Sequence, residues 1–208
     1  WYGFNAGSAL SAGHTAAVVF LNTAVAAAAG LLGWALMERL RLGRSSTLGA
    51  ASGLISGLVA ITPACGAVSP LGAVAIGAIA GLVCSLAIEL KFRLGYDDSL
   101  DVVGVHLVGG VIGTLLIGFF ATAAAPNGVS GVFYGGGWSL LGVQTVATIA
   151  VLAYSFVLTW AIAKVLDLVM GLRVPEEHEV KGIDLAAHSE SAYLTDEEPA
   201  ELGAPVRP

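Results

Sequence analysis

Apolar residues gather into five stretches, at about 14 to 37, 48 to 62, 70 to 90, 101 to 123 and 138 to 168, separated by short polar, glycine-rich or proline-bearing segments. A membrane-spanning helix needs about 20 mainly apolar residues, and all but the second stretch reach or approach that length. The second is expected to stop at Thr62-Pro63, because proline disfavours helix in the residue before it. Residues 1 to 10 read as the last turns of a sixth helix, which makes the chain a piece of something longer. The pattern predicts an all-α polytopic membrane domain over residues 1–171, followed by a polar tail over 172–208.

Glycine punctuates the apolar stretches at helical spacing: Gly49, Gly53 and Gly57, then Gly77 and Gly81, then Gly109 and Gly113. Small residues four apart let helix backbones approach closely in lipid, where van der Waals contact replaces the hydrophobic drive. Tight helix packing is therefore the expected role. None of these glycines sits at a strand-to-helix turn, so a phosphate-cradling loop finds no support.

Against this background the polar interruptions stand out. "YDDSLDVVGVHLVGGVIG" (Tyr96 to Gly113) carries His106 about five residues into the fourth stretch, with Val102, Gly109, Gly110 and Gly113 on the same face in α-helical register. Ionisable groups inside a membrane mark substrate or proton paths; the competing reading is a neutral histidine hydrogen-bonded to a neighbouring helix. Asp98 and Asp101, in the first turn of that helix, are expected to cap free N–H groups and oppose the helix dipole. An intramembrane aspartyl protease would need a second membrane aspartate aimed at the first, and the only candidate, Asp167, sits at the far end of its helix. At the start of the chain Trp1, Phe4 and Ser8 share one helix face, either as a cation-binding group or as an interfacial aromatic belt.

Composition agrees with the pattern. Of 208 residues 56% are hydrophobic and 12% charged, against roughly 25% charged in soluble domains, and the mean hydropathy is +0.84. Residues 1–171 balance six basic against six acidic groups, so the net charge of −6 resides in the tail. No basic field is available for nucleic acid. "ERLRLGR" (Glu38 to Arg44) and "KFRLGYDD" (Lys91 to Asp98) hold five of those six basic residues, which places both loops and the tail in the cytoplasm. Cys65 and Cys84 form no CxxC or Cys/His cluster and read as small apolar fillers. No metal or other cofactor is expected.

Four segments, "WYGFNAGSAL", "LVAITPACG", "YDDSLDVVGVHLVGGVIGTLLIGFF" and "GLRVPEEHEVKGIDLAAHSESAY", occur in an order and spacing that resemble the second half of an ammonium transporter of the Amt/MEP/Rh superfamily, bacterial Amt type. The resemblance runs over about residues 1 to 194. It implies the second half of an eleven-helix fold built from two five-helix halves of inverted topology, entered at the end of the sixth helix and assembled as a homotrimer in the plasma membrane. By the same resemblance the protein is not an enzyme. Ammonium, with methylammonium as its analogue, would be recruited outside, deprotonated at a phenylalanine gate and conducted through an apolar pore lined by two histidines.

Carried over by motif position, Phe4 resembles a gate ring, Ser8 a vestibule oxygen, Trp1, Val102 and Thr62 pore-wall residues, and His106 the second pore histidine. The tail resembles the segment at which a PII-type signal protein binds, with Lys181, Gly182 and Asp184 in its "KGID" break and Pro175 in the first turn of a short helix. A half-chain lacking the other histidine is not expected to transport alone. The alternative reading is an ammonium sensor that signals through its cytoplasmic tail. The last stretch, "TDEEPAELGAPVRP", is too acidic and proline-rich to build a core.

Overall fold

In the computed structural model, which describes residues 1–190, helices follow one another along the chain. They are α1 (Tyr2–Gly7), α2 (His14–Leu42), α3 (Thr47–Ile61), α4 (Pro70–Ala87), α5 (Leu90–Leu94), a π-helical turn (Val102–Leu107) running into α6 (Val108–Phe120), a 3-10 turn (Val132–Tyr134), α7 (Ser139–Met170), α8 (Glu176–Lys181) and a second π-helical turn (Asp184–His188). Among the described residues four segments are long and apolar enough to cross a membrane: His14–Leu42, Pro70–Leu94, Val102–Phe120 and Ser139–Met170. At 15 residues, α3 spans only about 22 Å, short of the hydrocarbon thickness of about 30 Å. The chain forms two units, Trp1–Ala153 and Tyr154–Pro208. The acidic stretch at 195–208 lies outside the described residues.

Two boundaries differ from the sequence expectation. The basic segment after Met37 is mostly helix, because α2 continues to Leu42 and closes on Gly43 in the left-handed region (φ 73°) with Arg39 and Arg41 in its last turn, where cations face the negative dipole end. Glu38 secures that end by accepting from Ser46 N (2.7 Å), Ser46 Oγ (3.0 Å) and Trp34 Nε1 (3.2 Å). Thr62 keeps right-handed helical torsions (φ −52°, ψ −49°) although proline follows. Pro63 thus ends α3 through its missing N–H, while Thr62 Oγ1 donates to Leu58 O at 2.7 Å.

In the first unit α2, α3 and α4 pack through their glycines. A Cβ on Gly57 would meet the Ala26 backbone of α2, and one on Gly77 would meet the same residue from α4. Gly53 and Gly81 close in the same way on Leu31 and Gly30, and Gly113 of α6 lies against Ala60 of α3, with Cα only 2.7 Å from where its own Cβ would stand. Ala26, Ala60, Ile76 and Ala80 are fully buried at these crossings. In α7, by contrast, no residue is buried.

Between α3 and α4 the chain makes a non-helical turn whose Ala64, Cys65, Ala67 and Val68 are buried. Buried non-helical backbone needs protein partners for its polar groups. Asn22, fully buried in α2, donates from Nδ2 to Cys65 O (2.8 Å) and Val68 O (2.9 Å). Thr122 N and Asn127 N take Ala67 O and Gly66 O, each at 2.9 Å. Ser69 then caps α4 through Gly72 N, with Pro70 in its first turn.

The second unit holds the end of α7 and the described part of the tail. Pro175 is the N-cap of α8, and α8 stops at Lys181 because Gly182 adopts φ 97°, a torsion that favours glycine. Asp184 opens the final turn, and Arg173 pairs with Glu179 at 2.9 Å.

Candidate functional site

A groove of about 450 Å³ opens between α3, the π-helical turn with α6, and the first half of α7. Val59, Pro63, Leu107, Val111, Ala147, Val151 and Leu152 give it apolar walls, and its polar groups are Thr62, His106, Thr114 and Thr148. Each threonine hydroxyl donates to a carbonyl of its own helix: Thr62 to Leu58 (2.7 Å), Thr114 to Gly110 (2.8 Å) and Thr148 to Gln144 (2.7 Å). With their protons so committed, these oxygens offer the groove acceptor lone pairs. His106 is exposed, and its neutral ring carries one donor and one acceptor.

The helix that presents His106 does not start as an α-helix. Asp101 lies in the left-handed region (φ 55°, ψ 33°), and the next six residues make a π-helical turn, a form that occurs in short pieces and concentrates at functional sites. The glycine-lined face expected from α-helical register serves two neighbours along α6, where successive residues are about 100° apart. Gly109 and Gly113 turn towards α3, while His106, Gly110 and Thr114 line the groove. Gly104 admits the turn beside α4's end, where a Cβ would stand 2.9 Å from Ile88 Cα. The buried Cys84 thiol, which reads as filler in the sequence, lies 3.8 Å from Val105 O as a weak donor.

Asp98 is the residue whose side chain caps this helix. Its carboxylate accepts from Val102 N (2.7 Å), Val103 N (2.9 Å) and Gly104 N (3.3 Å). Asp101 corrects the sequence expectation: it occupies the N-cap position but makes no side-chain cap bond. Its left-handed backbone turns the carboxylate towards Lys91, whose Nζ lies 2.6 Å from Oδ1. Asp98→Ala would leave those three N–H groups without their acceptor, and we expect it to lower unfolding stability by about 1–3 kcal/mol. Thermal denaturation of the purified protein, with Ser99→Ala as control, measures the loss.

The other predicted residues divide between two places. Trp1 Nε1 donates to Thr62 Oγ1 at 2.7 Å, tying α1 to the end of α3 and to the groove's rim. Phe4 meets Trp1 edge-on with ring centroids 6.5 Å apart, and is itself 70% exposed. Ser8 donates back to Phe4 O at 2.8 Å, which leaves its lone pairs free to accept. Val102 is half exposed at the start of the π-helical turn and does not line the groove with His106. Thr114 and Thr148 were missed by sequence reasoning; Thr114 had a signal in its spacing of eight from His106, whereas nothing local marked Thr148. Among the described residues no group of three or more metal-ligating side chains occurs.

Comparison with known proteins gives a consistent result. The model of the Ammonium Transporter Family matches residues 1–193. An ammonium transporter of Mycobacterium tuberculosis (strain ATCC 25618 / H37Rv) is 55% identical over 199 residues, covering 93% of this chain and 42% of the relative. One from Bacillus subtilis (strain 168) is 46% identical over 195 residues, covering 93% and 48%. Among solved structures, Candida albicans Mep2 superposes with a TM-score of 0.78 at 36% identity over 86% of this chain and 41% of that one. A structure described as a sensor Amt protein superposes with a TM-score of 0.80 at 33% identity over 90% and 45%. The chain spans less than half the length of these relatives.

Proposed function

This chain belongs to the ammonium transporter family, and from that premise we propose that it forms the C-terminal half of a transporter in which His106 lines the path of ammonia. The observation that carries the reading is an exposed imidazole in an otherwise apolar groove, beside threonine oxygens whose protons are already engaged. An ammonium ion loses strong hydration on entering such a groove, whereas neutral ammonia loses far less, so a site that strips the proton excludes sodium and potassium. The ring of His106 can accept from ammonia or donate to it, and can pass a proton to a second imidazole contributed by the rest of the full-length protein.

Phe4 and Ser8 are proposed at the outer entry, as gate ring and ammonium acceptor, with Trp1 and Thr62 in the wall below and Val102 further along it. The proposed division is a membrane domain over residues 1–171 and a cytoplasmic tail over 172–208, in a homotrimer whose tail meets a PII-type protein around Lys181, Gly182 and Asp184. A sensor reading also draws support, from the likeness to a structure described as a sensor Amt protein.

Uptake of labelled methylammonium separates the readings. Expressed in cells without their own ammonium transporters, the full-length protein is expected to drive uptake that excess ammonium suppresses and excess potassium does not. No uptake from protein that reaches the membrane would refute the transport reading in favour of the sensor.

A further inference from the structure

Lys91 ties together the acidic residues that precede the π-helical turn. From α5, its ammonium donates to Asp101 Oδ1 at 2.6 Å and to Asp98 O at 2.9 Å, with its side chain only 16% exposed. Asp101 needs such support, because its left-handed backbone (φ 55°) is one that residues other than glycine adopt at a cost. Its carbonyl accepts from Val105 N at 2.8 Å and its own N–H points to Asp98 O at 3.3 Å. The Asp98 carboxylate meanwhile holds the next three N–H groups. Lysine, both aspartates and the start of the turn thus form one connected set of hydrogen bonds at the head of the π-helical turn.

A π-helical turn takes more residues per turn than an α-helix. Relaxing it to α geometry against α6, which Gly113 pins to α3, would rotate the preceding residues by up to roughly 100°, the angle per residue of an α-helix. His106 lies near the C-terminal end of the turn, beside α6, so it would take up a part of that angle, enough to change the direction in which the imidazole points into the groove.

We propose that Lys91 is a positioning residue for His106: by holding Asp101 in its left-handed conformation it maintains the π-helical turn and so the direction in which the imidazole points. The proposal rests on His106 serving in the transport path. Lys91 itself does not line the groove, and a basic residue at the end of a membrane-length helix is otherwise explained by orientation in the membrane alone.

Two measurements on the full-length protein test it. Lys91→Met is expected to lower maximal methylammonium uptake roughly tenfold while changing the half-saturating concentration less than about twofold. Lys91→Arg, which keeps the charge and the donors, retains most of the rate. Lys91→Met combined with Asp101→Gly regains most of it, because glycine takes the left-handed conformation without strain. A double variant no faster than Lys91→Met would overturn the proposal.

The second measurement does not need transport. The thiol introduced by His106→Cys in purified protein is labelled with a small methanethiosulfonate reagent, and adding Lys91→Met is expected to change the labelling rate about threefold or more. Native Cys65 and Cys84 are buried and give the background. An unchanged labelling rate would overturn the positioning role even if uptake fell. Absence of uptake by the unaltered protein would instead refute the transport reading and leave the labelling result to decide the role of Lys91.

Discussion

His106→Ala in the full-length protein is expected to cut methylammonium uptake at low substrate by about tenfold or more, while the protein accumulates normally in the membrane. The groove offers a passing ammonia apolar walls, three threonine oxygens and one imidazole. Among those groups His106 alone can both donate and accept a hydrogen bond towards the groove. Losing a hydrogen bond to neutral ammonia costs about 0.5–1.5 kcal/mol, roughly two- to tenfold in rate or affinity, and losing the proton-passing imidazole adds to that. Within this chain the side chain packs into no core, and immunoblotting of the membranes checks accumulation. Uptake at the unaltered rate, with potassium still excluded, would remove His106 from the path.

The second large effect concerns assembly. Gly113→Val is expected to abolish accumulation of folded protein, because its Cβ would overlap the backbone of Ala60, a fully buried residue in the core of α3. No side chain can rotate to make room. Overpacking of a core costs about 1–3 kcal/mol when side chains can adjust, and here the obstacle is main chain. Gly142→Val, where no atom lies within 4 Å of the added Cβ, serves as control and should accumulate normally. Size-exclusion profiles of detergent extracts make the comparison, and a monodisperse peak of normal height for Gly113→Val would contradict the close crossing.

Much of this was legible in the sequence, for a physical reason. Apolar run length reports membrane helices directly, because lipid demands internal satisfaction of every backbone group, and glycines four apart marked the packing faces of α3, α4 and α6. Pro175 and Gly182 gave the limits of α8. What stayed hidden was backbone geometry that repeats no pattern. The left-handed torsion at Asp101 and the wide turn after it come with contacts from Lys91 and Asp98, residues seven apart on separate elements, and no periodic rule detects that. For the same reason Asp101 read as a cap, when the fold had committed its carboxylate to Lys91. Thr148 was unreadable because it comes to the groove from α7, far from the motif it joins.

The buried turn anchored by Asn22 gives the groove a further property, asymmetric compliance. At the Thr62 end the wall continues into backbone whose carbonyls are held by Asn22, Thr122 and Asn127, so that end behaves as a fixed abutment. The His106 end follows a left-handed residue paired with Lys91 of α5, neither of which lines the groove. If Lys91 positions His106 as proposed, a change at α5 would alter the aim of the imidazole while the Thr62 end keeps its hydrogen-bonded frame, so the two ends of the groove would answer differently to the same disturbance.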